Sequence, residues 1–205
     1  MRRWEDSTFL FISTNPQHLD GGVEERWIPV MTELVALGAK VRFLAPMHSE
    51  MGEWARSFKG IQVDPYILDK WNVIRARSRL RKYLKRYLPV CAHSTGIEGD
   101  LLLRWASRKV PEVRVAHTVT AAAQATRRRK PINSLFFRFD EIGMQHADAV
   151  FVPTEALVDE VMAAGREGRH ARRIILDTSD SPMRDSVDRH LEVYATFLVE
   201  RGAAG

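Results

Sequence analysis

Cysteine is almost missing: Cys91 is the single one in 205 residues. No intrachain disulfide can form, and nothing points to a cysteine-based metal site or an oxidising compartment. Long apolar runs are missing too. None approaches the roughly 20 residues that cross a bilayer, and the opening MRRWEDSTF does not read as a secretory signal. The expectation from these absences is a cytoplasmic protein. Three site signatures are also lacking: G-x-G-x-x-G, the lysine of a P-loop, and a G-x-S-x-G elbow. Dehydrogenases, P-loop kinases and α/β-hydrolases therefore fall from first place. There is no internal repeat and no low-complexity stretch. Finally, no acid stands between Asp69 and Glu98, so the net charge of +5 is clustered rather than spread.

What is present begins with Thr8–Thr14 (TFLFIST), an apolar, β-branched and aromatic run with the character of a strand buried on both faces. A loop, Asn15–Gly22, follows. Val23, Trp27, Val30, Met31, Leu34 and Leu37 then recur at helical spacing, with Glu24 and Glu25 in the first turn and Gly38 at the stop. Gly21 and Gly22 stand directly before that helix. Backbone N–H groups can face a phosphate or diphosphate there, aided by the helix dipole. The doublet has a second reading, a tight turn from strand to helix.

The same alternation continues. Strands are expected at Lys40–Ala45, Ile61–Val63, Pro89–His93, Val113–Thr118, Ala149–Val152 and, shorter, Ile174–Leu176. Helices are expected at Met51–Phe58, Trp71–Leu88, Gly96–Arg108, Ile132–His146, from Thr154 to Ala164, and from Pro182 onward. The last would present Val187, Leu191, Tyr194, Leu198 and Val199 on one face. Ala121–Pro131, with Arg127, Arg128, Arg129 and Lys130, reads as a mobile acceptor-side lid. The implied fold class is α/β: a single Rossmann-like, doubly wound parallel sheet plus a C-terminal amphipathic helix. The expected division is 1–165 for the sheet domain, 166–181 for a linker and 182–205 for a helix packing back on the domain.

In such sheets ligands bind beyond the carboxyl ends of the strands, where strand order switches. After the first strand stand Asn15, His18, Gly21 and Gly22. The fourth is expected to end at His93 and the fifth at His117, followed by Thr118; Glu155 follows the sixth. Two histidines and one glycine pair would thus converge on one edge, suited to sugar hydroxyls and phosphates. Each histidine alone reads first as a polar residue capping a strand end; their matched positions on adjacent strand ends shift the balance toward a site. A metal site is the poorer reading, because no carboxylate stands at matching positions.

Three segments resemble glycosyltransferases of family 4 with the GT-B fold. GGVEERWIPVMTELVALGAKVRFLAP resembles their first glycine loop, helix and second strand. VCAHSTGIEGDLLLRWASRKVPEVRVAHTV is similar to their two successive strands that each end in histidine. QHADAVFVPTEALVDEVMAAG resembles their Ala-Asp-x-Val segment with its following Thr-Glu. The likeness covers about residues 8–165. It implies an acceptor-binding N-terminal domain, Gly21 and Gly22 near the donor diphosphate, and His117 beside the transferred sugar. His93, Thr118, Asn15, His18 and Glu155 become acceptor or sugar contacts. It also implies transfer from a nucleotide-sugar to a glycan or lipid-linked acceptor, usually with retention, with no cofactor and no essential metal. The family's second domain, with its Glu-x7-Glu motif, has no counterpart here. SVDRHLEVYATFLVERG nevertheless resembles the family's terminal helix that returns to the N-terminal domain. A protein partner supplying the nucleotide-binding domain, or a homo-oligomer, is the implied complement.

Trp71–Leu88 carries Arg75, Arg77, Arg79, Arg81, Lys82, Lys85 and Arg86 around an apolar stripe of Val73, Ala76, Leu80, Leu84 and Tyr87. Arg75, Arg79, Arg81, Lys82, Lys85 and Arg86 form a candidate surface for an anionic acceptor or the inner face of a membrane, with Trp71, Tyr83 and Tyr87 at the interface. A solvated helix face is the plainer reading. Nucleic acid is disfavoured, because no recognised motif accompanies the charge. The function expected is a glycosyltransferase-like acceptor-binding domain working with a separate donor-binding chain or domain. The alternatives are a non-catalytic regulatory partner of a complete transferase and, last, a basic nucleic-acid-binding protein.

Overall fold

A computed structural model describes residues 3–13, 23–46, 48–66, 73–119, 147–155, 158, 173–178 and 182–203. After a short 3-10 turn, Trp4–Asp6, the elements are β1 (Thr8–Ser13), α1 (Val23–Ala36), β2 (Lys40–Ala45), α2 (Glu50–Arg56), β3 (Ile61–Pro65), α3 (Val73–Tyr87), β4 (Cys91–Thr95), α4 (Ile97–Ser107), β5 (Arg114–Thr118), β6 (Ala149–Val152), β7 (Ile174–Leu176) and α5 (Met183–Ala203). Every strand pair is parallel, in the order β3-β2-β1-β4-β5-β6-β7. The order reverses between β1 and β4, which makes their carboxyl ends the switch point of the sheet.

The inner strands β1 and β6 read as mostly apolar runs because helices cover both faces. Phe9, Phe11, Val41, Phe43, Cys91, Ala116, Ala149 and Phe151 face one core with Trp27, Met31 and Leu34 of α1 and Val193, Tyr194 and Phe197 of α5. Leu10, Ile12, Leu44 and Ala92 face the other, with Ala76, Leu80 and Leu84 of α3 and Leu102, Leu103 and Ala106 of α4. Trp27 alone, fully buried, is worth roughly 3–5 kcal/mol against truncation to alanine. Pro29 lies inside α1 and removes one intrahelical hydrogen bond. The helix continues through it because Ile28, Val30 and Met31 on either side are buried.

The C-terminal helix packs against α1 and is tied down by charge at both ends. Asp177, just after β7, takes Arg26 of α1 at 3.3 Å and Arg189 of α5 at 3.6 Å, and accepts from the Ser186 hydroxyl at 2.9 Å. Farther along, Glu200 bridges Arg114 and Arg173 at 3.1 and 3.2 Å. These pairs join β5, the edge strand and the helix into one body.

Several boundaries differ from expectation. β4 runs to Thr95, two residues past the expected end, because its ladder with β1 and β5 continues to Ser13 and Thr118. Gly96, at φ 82° and ψ 147°, then turns the chain into α4, a conformation essentially reserved for glycine. The short strand expected at Ile174–Leu176 is present as β7 and adds to the sheet beside β6. Val199 was placed on the buried face of α5 but is 52% exposed. Phe197 and Val193 fill that face instead, since they follow the helical period from His190 and Tyr194. Leu37 has left α1 for the turn behind it and is partly exposed.

Candidate functional site

The carboxyl ends of β1, β4 and β5 lie side by side, with Ser13, Thr95 and Thr118 aligned across the sheet and buried. Asn15, His18, Gly21 and Gly22 lie outside the described residues, as do Arg127–Lys130 and Trp71. Val23 opens α1 in the structure, so the glycine pair immediately precedes a helix start.

His117 belongs to β5 and points to the α3 and α4 side, 1% exposed. Its Nδ1 lies 2.7 Å from Ser94 Oγ and 3.1 Å from Asp100 Oδ1. The Ser94 hydroxyl donates to Asp100 at 2.7 Å. With that hydrogen committed, Ser94 Oγ is an acceptor, so the imidazole donates from Nδ1, and in the neutral ring the lone pair is on Nε2. Nε2 is buried and has no hydrogen-bond partner among the described residues. Asp100 comes from the first turn of α4, where the helix dipole favours an ionised carboxylate. The arrangement can hold one tautomer and present Nε2 to a hydroxyl or a developing charge. It does not make Ser94 a nucleophile. That hydroxyl is fully buried and meets the oriented Nδ1, not the free Nε2.

His93 does not converge with His117. β4 and β5 pair Ser94 with His117 and His93 with Ala116. One residue of offset sends the two imidazoles to opposite faces of the sheet. His93 is 1% exposed on the α1 and α5 side, against Trp27, Phe11 and Phe151. Its Nδ1 meets the Tyr194 hydroxyl at 2.6 Å and its Nε2 meets Thr118 Oγ1 at 2.7 Å. Both nitrogens are thus engaged inside the core, and the Thr118 hydroxyl is occupied with them. Burial, then the neighbouring His190 and His117, hold His93 far below the ordinary histidine range. His190 of α5 stacks on Phe151 at 4.0 Å and 4°, and on His93 at 5.6 Å. Its Nδ1 meets the Ser186 carbonyl at 2.8 Å. Burial depresses it as well, opposed in part by Ser186 and Asp177. Glu155, after β6, is exposed.

On α3, Arg75, Arg79, Lys82, Lys85 and Arg86 are exposed, whereas Arg81 is half-buried. Ile74 stands 79% exposed beside them. Tyr83 and Tyr87 are half-buried and pack on Arg42 of β2. The Arg42 guanidinium lies 3.5 Å from the Tyr87 ring centre and 5.8 Å from that of Tyr83. It also donates to Asp64 at 2.8 Å and to the Tyr83 hydroxyl at 3.1 Å, and Tyr83 donates to Asp64. Among the described residues, no helix is long and apolar enough to cross a membrane.

The sequence reading placed Tyr194 only on the packing face of the last helix and Tyr83 only beside the basic face, and it gave no site role to Ser94, Asp100 or Arg42; of these, Asp100 carries a sequence signal, as an acid in the first turn of a helix that follows a strand-end glycine.

A family model described as a glycosyl transferase 4-like domain matches residues 21–176, beginning at the glycine pair. No curated protein sequence matches the chain. Among solved structures, sucrose-phosphate synthase from Thermosynechococcus elongatus, in a form designated 27_220_406_426, is similar with a TM-score of 0.59 at 12% identity. That match covers 93% of this chain and 98% of that one. Anabaena HepE in complex with UDP has a TM-score of 0.60 at 11% identity, over 90% of this chain and 49% of that one. UDP-N-acetylglucosamine 2-epimerase from Rickettsia bellii has 0.58 at 14%, over 91% and 48%. The chain spans about half the length of these last two proteins. At such identities the likeness shows the fold alone, one shared by a synthase and an epimerase.

Proposed function

The chain belongs to the glycosyl transferase 4-like domain family, and on that premise we propose that it is the acceptor-binding half of a GT-B glycosyltransferase. It contributes to sugar transfer from a nucleotide-sugar, and a separate chain, domain or second copy supplies the donor-binding half. The observation that carries the reading is His117. It sits beside the switch point of the sheet, oriented by Ser94 and Asp100, with a buried and unpartnered Nε2. In this role Nε2 meets a hydroxyl of the transferred sugar or of the acceptor. Gly21 and Gly22 close on the donor diphosphate ahead of the dipole of α1. No metal is required in the proposed reaction, following the family resemblance.

The exposed basic face of α3 meets an anionic acceptor or an anionic membrane surface in the same reading. A regulatory partner of a complete transferase is the competing role. It keeps the fold and the docking of α5 but has no use for a free imidazole nitrogen. The test pairs the chain with candidate donor-binding proteins and follows label transfer from a panel of UDP- and GDP-sugars. Transfer should need both components and fall roughly a hundredfold with His117→Ala. Transfer unaffected by His117→Ala and Gly22→Trp would overturn the catalytic role in favour of the regulatory one.

A further inference from the structure

A second concavity lies on the same face as His117. Leu44, Asp64, Pro65, Tyr66, Arg79, Leu80 and Tyr83 line a pocket of about 180 Å³. Leu44 and Asp64 are paired near the carboxyl ends of β2 and β3, and the Tyr66 N–H donates to the carbonyl of Ala45, the last residue of β2. The pocket is therefore on the ligand-bearing edge of the sheet. β3 and β5 are four strand spacings apart, so roughly 19 Å separates this pocket from His117. That is the reach of a short glycan or a substituted sugar.

The charges around the pocket are unequal. Asp64 is the one carboxylate in its wall, and it is neutralised by Arg42 at 2.8 Å and by the Tyr83 hydroxyl. Arg79 has no ion-pair partner among the described residues and is exposed on the pocket's α3 wall. α3 adds six further cations and no acid, so the local potential is positive. The Tyr66 phenol, pushed up to about 12 mainly by burial, stays neutral at physiological pH, with its hydroxyl donating to the Ala76 carbonyl at 3.5 Å. A guanidinium with no ion-pair partner among the described residues, two neutral phenol rings and an apolar floor of Leu44 and Leu80 match a phosphate attached to a sugar. The fork of the arginine takes two phosphate oxygens, and the rings take the sugar face.

We infer that this pocket is a subsite for a phosphate ester on the acceptor, with Arg79 as the residue that recognises it. The identity of the ligand as an acceptor rests on the proposed transferase reading; the anion specificity of the pocket does not. The test is therefore a binding experiment with no donor and no turnover. The isotope-labelled full chain is titrated with a hexose 1-phosphate, with the neutral hexose and with inorganic phosphate, followed by amide shifts. A parallel arm measures sedimentation with phosphatidylglycerol vesicles. The hexose phosphate should saturate and move Tyr66, Arg79 and Tyr83, and bind at least tenfold more tightly than the neutral hexose. Arg79→Gln should lose about tenfold in affinity, whereas Arg77→Gln, which removes equal charge from the same helix outside the pocket and outside the exposed basic face, should change it less than twofold. Saturation by inorganic phosphate at the same residues also supports the subsite. Equal losses from the two variants would replace the pocket with a diffuse electrostatic field and overturn the inference. So would binding to vesicles with no saturable binding of the soluble phosphates. Either failure leaves transfer to a neutral acceptor standing.

Discussion

Lowering the pH through the upper acidic range should loosen this protein by way of two histidines that never meet solvent. His93 and His190 are each 1% exposed, stacked 5.6 Å apart, and both held below the ordinary value of 6.5 chiefly by burial. The groups facing them from the surrounding elements are Tyr194 and Asp177, with Arg26 and Arg189 beyond, and His117 on the far side of β5. In the folded chain both rings are neutral at pH 6.5 or somewhat below; in the unfolded chain both take up protons there. Between the unfolded value and the lower folded values the unfolded state binds more protons, so stability must fall as pH falls. It is fully present above 6.5. Each histidine adds up to about 1.4 kcal/mol per pH unit, and the pair up to about 2.7 kcal/mol per unit. Against a typical total of roughly 5–15 kcal/mol, that is a large fraction. Urea unfolding measured from about pH 7.5 to about pH 5.5 keeps the carboxylates ionised and isolates the effect. His190→Phe preserves the stack on Phe151 and gives up only a bond to the Ser186 carbonyl, so it should lower the slope by about one proton. A midpoint that is flat over this range, or a slope unchanged in the variant, would refute the reasoning.

Tyr194→Phe should cost about 1–3 kcal/mol, because it strands the buried Nδ1 of His93; thermal melts with no shift would contradict that. Gly96→Ala should cost a further 1–3 kcal/mol or so through the backbone conformation at the end of β4, visible as a lower urea midpoint with the slope unchanged. Asp100→Asn should release the His117 tautomer. Nitrogen shifts of that ring would show a mixed Nδ1 and Nε2 population, and any reconstituted transfer would drop by roughly tenfold to a hundredfold with acceptor affinity held. Ring shifts identical to the parent would argue that Ser94 alone orients the imidazole.

The alternation of strands and helices was legible in the residues themselves. TFLFIS and AVFV are mostly apolar runs of the kind a strand buried on both faces needs, and KVRFLA keeps that character outside its two cations. The helices announced themselves by period, and α1 and α4 by the glycines and acids at their ends. Family membership came with them, because the order of pieces and the glycine pair are local features. The site was legible only as a set of names. Which way a strand residue points depends on the register of the ladder, and register is set by hydrogen bonds to strands distant in sequence. The pairing of Ser94 with His117 is what gives one histidine a carboxylate and a free nitrogen, and seals the other beneath Tyr194, 101 residues away. Arg42 likewise claims Tyr83 from 41 residues off, and that ring becomes part of the wall of a pocket. Composition and period decide what becomes a strand or a helix, since those are choices of a few neighbouring residues. Contacts between elements decide what the side chains can do, since a buried polar atom must find its partner wherever the fold brings one.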